Sequence, residues 1–191
     1  MVDVERARRF LATHGRVLDR RRFDLALGTG SAAAALAALE AYGNEDGGYG
    51  AGLEPDLRSV TSQPVAAMHA FEVFEEVAPS ISPRATRLCD WLESVTLDDG
   101  GLPFALPVPD PAGCAPFWAQ ADATTSSLHI TCAVAAVAHR VAEHDQAVRD
   151  HPWLARATDF CLDRIQRMHE PGLALELMYA LQFLDAASHL E

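Results

Sequence analysis

The sequence predicts an all-α protein built from a repeated helix pair. Apolar residues recur at helical spacing along most of the chain, alternating segments typical of strands are nearly missing, and one glycine-containing loop occurs twice in the same helical context. With 191 residues, 49% of them hydrophobic, the chain is long enough for one core. We predict a single domain over residues 1–189 and interpret residues 190–191 as vector-derived.

Capping residues and helix breakers indicate where the first helices begin and end. Two helices are predicted over residues 4–13 and 17–27. A third is predicted over residues 32–42, because Ser31 can cap its first turn and Gly43 can end it. The fourth, over 62–77, has Pro64 in its first turn, where proline is tolerated.

The rest of the chain predicts four further helices and one break. Pro83 opens a helix with one apolar face, and residues 128–141 are apolar nearly all round, which is typical of a buried inner helix. Pro152 opens another helix, and residues 173–187 form the last one. Pro171 and Gly172 are predicted to break the chain between these two.

The composition excludes several classes of function. The net charge is -12, which opposes binding to nucleic acid or to an anionic membrane surface. All 15 cationic residues are arginine, so a P-loop lysine and Schiff-base chemistry are excluded. No apolar run is long enough for a transmembrane segment, and the four cysteines are too sparse for a disulfide framework. We expect a cytoplasmic protein with reduced cysteines.

The repeated loop is the most informative motif. Asp46, Gly47 and Gly48 follow one amphipathic helix, and Asp99, Gly100 and Gly101 follow another. Each loop leads to a serine that precedes a more apolar helix. Glycine allows the sharp turn after a helix end, and aspartate can bond to nearby amides. We interpret these residues as a structural turn motif in two helix hairpins.

A second match links residues 84–89 with residues 156–161, which both run Arg-Ala-Thr and then end in cysteine. It indicates that the two segments are equivalent outer helices. The third unit lacks the glycine motif and is predicted to be degenerate or a cap.

These loops resemble the repeats of terpene cyclases and of protein prenyltransferase β subunits, which form an α/α toroid. The chain is also similar to small actinobacterial proteins known only as prenyltransferase-like, through the segment 53–58 and Ser62, Gln63 and Pro64. The resemblance implies a partial α/α toroid, an incomplete version of a six-hairpin barrel. The acidic motif of squalene-hopene-type cyclases and the zinc set of prenyltransferases are missing, so neither a catalytic residue nor a cofactor is assigned.

Under this resemblance, the N-terminal ends of the inner helices surround a cavity. Helix N-termini and an arginine there would favour a diphosphate or a carboxylate. The alternative is that these polar residues cap helices and pair with one another on a surface loop. The candidate ligand-binding residues are Glu54, Asp56, Arg58, Gln63, Asp122 and His129.

Four further groups of residues are interpreted from their positions. His129 and Cys132 share a helix face as two metal ligands would, but without partners they indicate core packing, and we predict no metal site. His139 and His144 are predicted to be solvated at a polar helix end. Tyr49, Phe104, Phe117 and Trp118 either line an apolar pocket or plug the end of the helical barrel, and residues 102–116 form a lid or a rigid strap.

Three functional hypotheses follow. The leading one is a prenyltransferase-like or cyclase-like scaffold that binds an apolar, isoprenoid-type molecule near the inner-helix N-termini, with enzymatic activity left open. The second is a non-catalytic helical-repeat module, or a homo-oligomer in which two copies complete a barrel. The third is a carbohydrate-active enzyme with Glu54 and Asp56 as paired carboxylates, which is disfavoured because both lie on one short loop.

Overall fold

The structure is a computed structural model that describes residues 3–168 and 173–190. The predicted break at Pro171 and Gly172 lies outside the described residues, as does Glu191. All regular elements within the described residues are helices, which confirms the all-α class. The α-helices are α1 (Val4–His14), α2 (Val17–Ala26), α3 (Ala32–Leu39), α4 (Pro64–Glu76), α5 (Pro83–Val95), α6 (Pro116–Ala119), α7 (Leu128–Ala142), α8 (Gln146–Arg149), α9 (Pro152–Gln166) and α10 (Ala174–Ala186).

Caps and prolines determine most of these boundaries. Ser31, Ser82 and Ser127 each accept a hydrogen bond from a backbone N–H in the first turn of α3, α5 and α7. Proline occupies the start of α4, α5 and α9, where its missing N–H has no cost. The predicted helices are present, while the short helices α6 and α8 were not predicted.

Three helices lie side by side and form what we call the central row: α4, α7 and α10. The middle helix, α7, packs against α4 on one side and against α10 on the other. Around the row, α3 packs on α4, α5 packs on α4 and α9, and α9 packs on α7. In α7, 13 of 15 residues are buried, which confirms the prediction of a buried inner helix.

The last helix of the row is much more exposed than α7. Its side towards α7 contributes Ala180 and Phe183 to the core. Its opposite side exposes Leu177, Leu181 and Leu184, which are 41%, 58% and 39% exposed. An apolar stripe of this kind on the outside of a helix is unusual in a monomeric protein.

The prediction that His139 is solvated is wrong. Its side chain is buried, and its Nε2 lies 2.8 Å from the hydroxyl of Thr158 on α9. Burial lowers the pKa of His139 to about 4, with a smaller contribution from His189. The prediction relied on the polar end of the helix, where the next residue, Arg140, is indeed half-exposed. The two side chains nevertheless point to different sides of α7. His144 is half-buried.

Two further observations concern the cysteines and the hydropathy of the helices. All four cysteines are free, and Cys89, Cys132 and Cys161 are buried in the core. In residues 3–168 and 173–190, none of the helices combines the length and the apolar character needed to cross a bilayer.

Candidate functional site

The first glycine turn is held by one carboxylate and by close packing. Asp46 Oδ1 accepts hydrogen bonds from the Gly48 N–H at 2.9 Å and from the Ser62 hydroxyl at 2.8 Å. Gly47 has φ +98°, a conformation that favours glycine. A Cβ on Gly48 would lie 2.6 Å from the ring of Trp91. The turn thus ties the start of the α4 segment to α5.

The second glycine turn repeats this geometry. Asp99 Oδ1 accepts hydrogen bonds from the Gly101 N–H at 3.1 Å and from the Ser126 hydroxyl at 2.5 Å. Gly100 has φ +92°, and a Cβ on Gly101 would lie 2.6 Å from the ring of Phe160. This turn ties the start of the α7 segment to α9.

The packing of the two turns also defines a register between α5 and α9. Arg87 lies against Gly47 through its carbonyl and side chain, and Arg156 lies against Gly100 in the same way. Arg87 is therefore the counterpart of Arg156. The sequence match had aligned Arg84 with Arg156, which is three residues off, because positions i and i+3 share one side of a helix.

Two connections follow the turns: the first connection is residues 50–61, and the second connection is residues 103–125. They are bonded to each other. The Asp56 carbonyl accepts from the Ala115 N–H at 2.8 Å, and Asp56 Oδ1 accepts from the indole N–H of Trp118 at 2.7 Å. The buried side-chain amide of Gln63 bonds both backbone groups of Leu106, accepting at 2.9 Å and donating at 3.3 Å.

A groove of about 480 Å³ lies between these connections and the first turns of the central row. Its volume falls in the range of small-molecule sites. Each helix of the row contributes residues from its N-terminal half, and most of the lining is apolar. The lining residues are Glu54, Asp56, Val65, Met68, His69, Phe104, Phe117, Trp118, His129, Ile130, Ala133, Leu173, Leu175 and Tyr179.

The polar end of the groove is built around His69. Its Nε2 lies 3.0 Å from Glu54 Oε2, and its Nδ1 lies 3.1 Å from Glu72 Oε2. Burial alone would lower the pKa of His69, but the hydrogen bonds to the two carboxylates raise it to about 9. His69 is therefore an imidazolium at neutral pH, with both ring N–H groups engaged.

Glu54 and Glu72 are held in their charged form. Hydrogen bonding from His69 lowers the pKa of Glu54, and hydrogen bonding from Asp56 lowers it further. Burial raises the pKa of Glu72, but His69 and Arg22 outweigh this effect and lower it. Arg22 in turn bonds Glu72 at 3.3 Å and Glu76 at 2.6 Å.

Aromatic rings form much of the remaining wall. Phe104 stacks on Trp118 with ring centroids 4.6 Å apart, and His129 stacks on Tyr179 at 4.9 Å. Phe104 also meets the edge of His129 at 5.7 Å and so joins the two pairs. Burial lowers the pKa of His129, which makes it neutral at physiological pH. These rings line the groove; Tyr49 is instead buried against Phe74.

The structure separates the six predicted ligand-binding residues into two groups. Glu54, Asp56 and His129 line the groove. Gln63 is turned to Leu106 instead, and the exposed Arg58 donates only to the Pro55 carbonyl, at 3.4 Å.

Asp122 lies outside the groove and stabilises its own turn. Its Oδ1 accepts from the backbone and the hydroxyl of Thr124, at 2.8 and 2.6 Å, and its Oδ2 accepts from Thr125. These bonds lower the pKa of Asp122, which is fully exposed.

His69 is the residue that the sequence analysis missed as part of the site. A usable signal was present, because His69 and Glu72 are three residues apart and so share one side of an otherwise apolar helix.

The described residues give no support to a metal site. Among them, no group of three or more histidine, cysteine or acidic side chains could hold a metal ion. His129 faces the groove, whereas Cys132 is fully buried in the core next to the thiol of Cys161, so the two do not converge.

The site is thus an apolar, aromatic groove with an acidic end, placed at the N-terminal ends of three adjacent helices. Its walls come from both connections and from the central row. No protein-family model, no curated protein and no solved structure matches this chain.

Proposed function

We propose that the chain is a prenyltransferase-like or cyclase-like scaffold, a partial α/α toroid, that binds an apolar, isoprenoid-type small molecule in the groove. The observation that carries the proposal is the groove itself, because its lining is mostly apolar and its volume suits a small ligand. Catalysis is not part of the proposal, since no lining residue forms a nucleophile and base pair.

The two glycine turns support the partial toroid. Their aspartate, glycine and serine contacts are the same, and each turn precedes a helix of the central row. In this arrangement α4, α7 and α10 are successive inner helices, and α3, α5 and α9 are the outer ones. Three hairpins would form half of a six-hairpin ring, with the groove at its concave side.

The direct test is calorimetric titration with farnesol, an uncharged isoprenoid, below its aggregation concentration. We expect saturable binding by the wild-type chain. Ala133 is 3% exposed and lines the groove, so Ala133→Phe should fill the groove and weaken binding by at least about tenfold. Ala33→Phe, the same change at an exposed position of α3, is the matched control and should bind normally.

A second blocking variant guards against misfolding of the first. Leu175 lines the groove but is 52% exposed, so Leu175→Trp narrows the groove without changing the core. Thermal unfolding shows whether each variant is folded. The groove would be ruled out as the site if the wild type did not bind farnesol. It would also be ruled out if both folded blocking variants bound farnesol as tightly as the wild type.

A second candidate function is self-association through α10. The exposed stripe of Leu177, Leu181 and Leu184 continues from Leu173 and Leu175 at the groove, so one packed copy would cover both. In the row, α7 has a neighbour on each side, whereas α10 packs chiefly on α7. A second copy of the chain would supply the missing neighbour.

Light scattering at increasing concentration tests this candidate. We expect a dimer that Leu181→Glu converts to a monomer, because the substitution places a charge in the centre of the stripe. Ile81→Glu is a matched control at another exposed apolar position, 62% exposed and outside both α10 and the groove, and should leave the dimer intact. A wild-type chain that stays monomeric at high concentration would exclude self-association.

A further inference from the structure

We infer that the molecule bound in the groove carries an ammonium group at its polar end. The inference rests on the proposed function, and it specifies the class of ligand. It depends on three features of the groove: its carboxylates, the engagement of His69 by two of them, and its aromatic wall.

The polar end of the groove has an excess of negative charge. Glu54 and Asp56 both line it, and Glu72 lies directly behind His69. The imidazolium of His69 is shared between Glu54 and Glu72, and Arg22 is shared between Glu72 and Glu76, so two cations face these three carboxylates and Asp56. An ammonium group would supply the missing positive charge beside the half-buried Glu54, where charge pairing is stronger than in bulk water.

The same end is unsuited to a diphosphate. None of the described residues that line the groove is an arginine, and His129 is neutral. Arg22 is engaged by Glu72 and Glu76, and Arg58 lies outside the groove. A diphosphate would therefore meet two carboxylates without a free cation to compensate its charge.

The aromatic wall also fits an ammonium group. Trp118 donates its indole N–H to Asp56, and Phe104 and Phe117 pack on Trp118. Aromatic faces next to carboxylates are the usual surroundings of bound alkylammonium groups, because the ring quadrupole attracts the cation. The apolar body of the ligand would then lie along Met68, Ile130 and Ala133.

Three probes with the same apolar chain test the inference: farnesylamine, farnesol and farnesyl diphosphate, titrated by calorimetry at physiological salt. We expect the amine to bind about tenfold more tightly than the alcohol, and the diphosphate to bind most weakly. Glu54→Gln with Asp56→Asn should remove the advantage of the amine and leave the alcohol within about twofold.

Two controls separate specific binding from attraction to an acidic protein. Glu75→Gln removes a carboxylate of α4 that bonds Arg140 outside the groove, so the amine should still bind normally. Ala133→Phe should weaken the amine as it weakens the alcohol. Equal affinity of the wild type for amine and alcohol would overturn the ammonium inference alone. So would a double variant, Glu54→Gln with Asp56→Asn, that no longer binds either the amine or the alcohol. Failure of all three probes to bind would overturn the proposed function as well.

Discussion

The two glycine turns are nearly the same, whereas the connections that follow them differ. Each turn uses an aspartate, two glycines and a serine in the same contacts. The first connection, residues 50–61, is short and supplies Glu54 and Asp56. The second connection, residues 103–125, is about twice as long and supplies the aromatic residues Phe104 and Trp118. The turns thus determine the architecture, and the connections determine the chemistry of the groove.

The strongest test of this comparison is to disturb both turns equally. Gly48→Ala and Gly101→Ala should each lower the free energy of unfolding by about 3 kcal/mol, because each new Cβ would lie 2.5 Å from a serine Cβ and 2.6 Å from an aromatic ring. Urea unfolding measures the effect. Gly43→Ala is the control, since its nearest atom would be 3.5 Å away, and it should change stability by less than about 0.5 kcal/mol.

The equivalence of the turns would be contradicted if Gly48→Ala and Gly101→Ala lowered the free energy of unfolding by very different amounts. Their close neighbours are chemically similar, Trp91 in one case and Phe160 in the other. If alanine were tolerated at only one turn, the helix packed against that turn, α5 or α9, would have to move away to make room for it. The packing of that helix on its turn would then be looser than in the other turn.

Ser62 and Ser126, which bond the two turns, are followed by different residues, Gln63 and Ser127. These two residues test how the connections differ. Gln63 bonds the second connection at Leu106, while Ser127, at the same place in the other turn, caps α7. We expect Gln63→Ala to cost about 2 kcal/mol, because the buried side-chain amide and both of its bonds to Leu106 are lost, and Ser127→Ala to cost about 1 kcal/mol. Urea unfolding of both variants checks this order, and the reverse order would show that the amide does not tie the connections.

The sequence was informative for the turns and the helices because both depend on local chemistry. Helix starts are marked by the local preferences of single residues: the capping side chain of Ser31, and the fixed backbone of Pro64 and Pro83. The predicted helices therefore lie close to the observed ones. The glycines and Asp46 form a turn with their immediate neighbours, which is why their spacing could be recognised without a structure.

The groove was harder to predict because it depends on long-range contacts. Glu54 and Asp56 were selected from the position of their loop, but their partners His69 and Trp118 lie 15 and 62 residues further along the chain. Arg58 is two residues from Asp56 and yet lies outside the groove. The sequence also could not indicate that His139 faces Thr158, since that contact depends on how α7 and α9 pack.

His69 gives a pH-dependent test of the first connection. Its pKa in the folded chain is about 9, above its ordinary value of 6.5, so its contribution is fully present below pH 6.5 and is lost as the pH rises through 9. Between neutral pH and about pH 9.5 the wild type should therefore lose about 1 to 2 kcal/mol more than His69→Gln, after allowance for partial exposure. Unfolding curves at both pH values measure the difference.

The outcome also tests the link between His69 and the acidic end of the groove. Glu75→Gln changes a carboxylate of the same helix without contacting His69, so this variant should follow the wild type across the pH range. Parallel pH profiles for the wild type and His69→Gln would mean that Glu54 and Glu72 do not hold the imidazolium, and that the first connection is not anchored to α4 through it.

The smallest expected effect is at Arg58, the only arginine of the first connection. Its Nε donates weakly to the Pro55 carbonyl at 3.4 Å, and its stem lies beside Gly113 of the second connection. Arg58→Ala should change the free energy of unfolding by less than about 0.5 kcal/mol, and it should leave farnesol binding in calorimetry unchanged. If the variant instead weakened binding by about tenfold, the two connections would have to rearrange around the ligand so that Arg58 enters the groove, and the first connection would then supply both signs of charge.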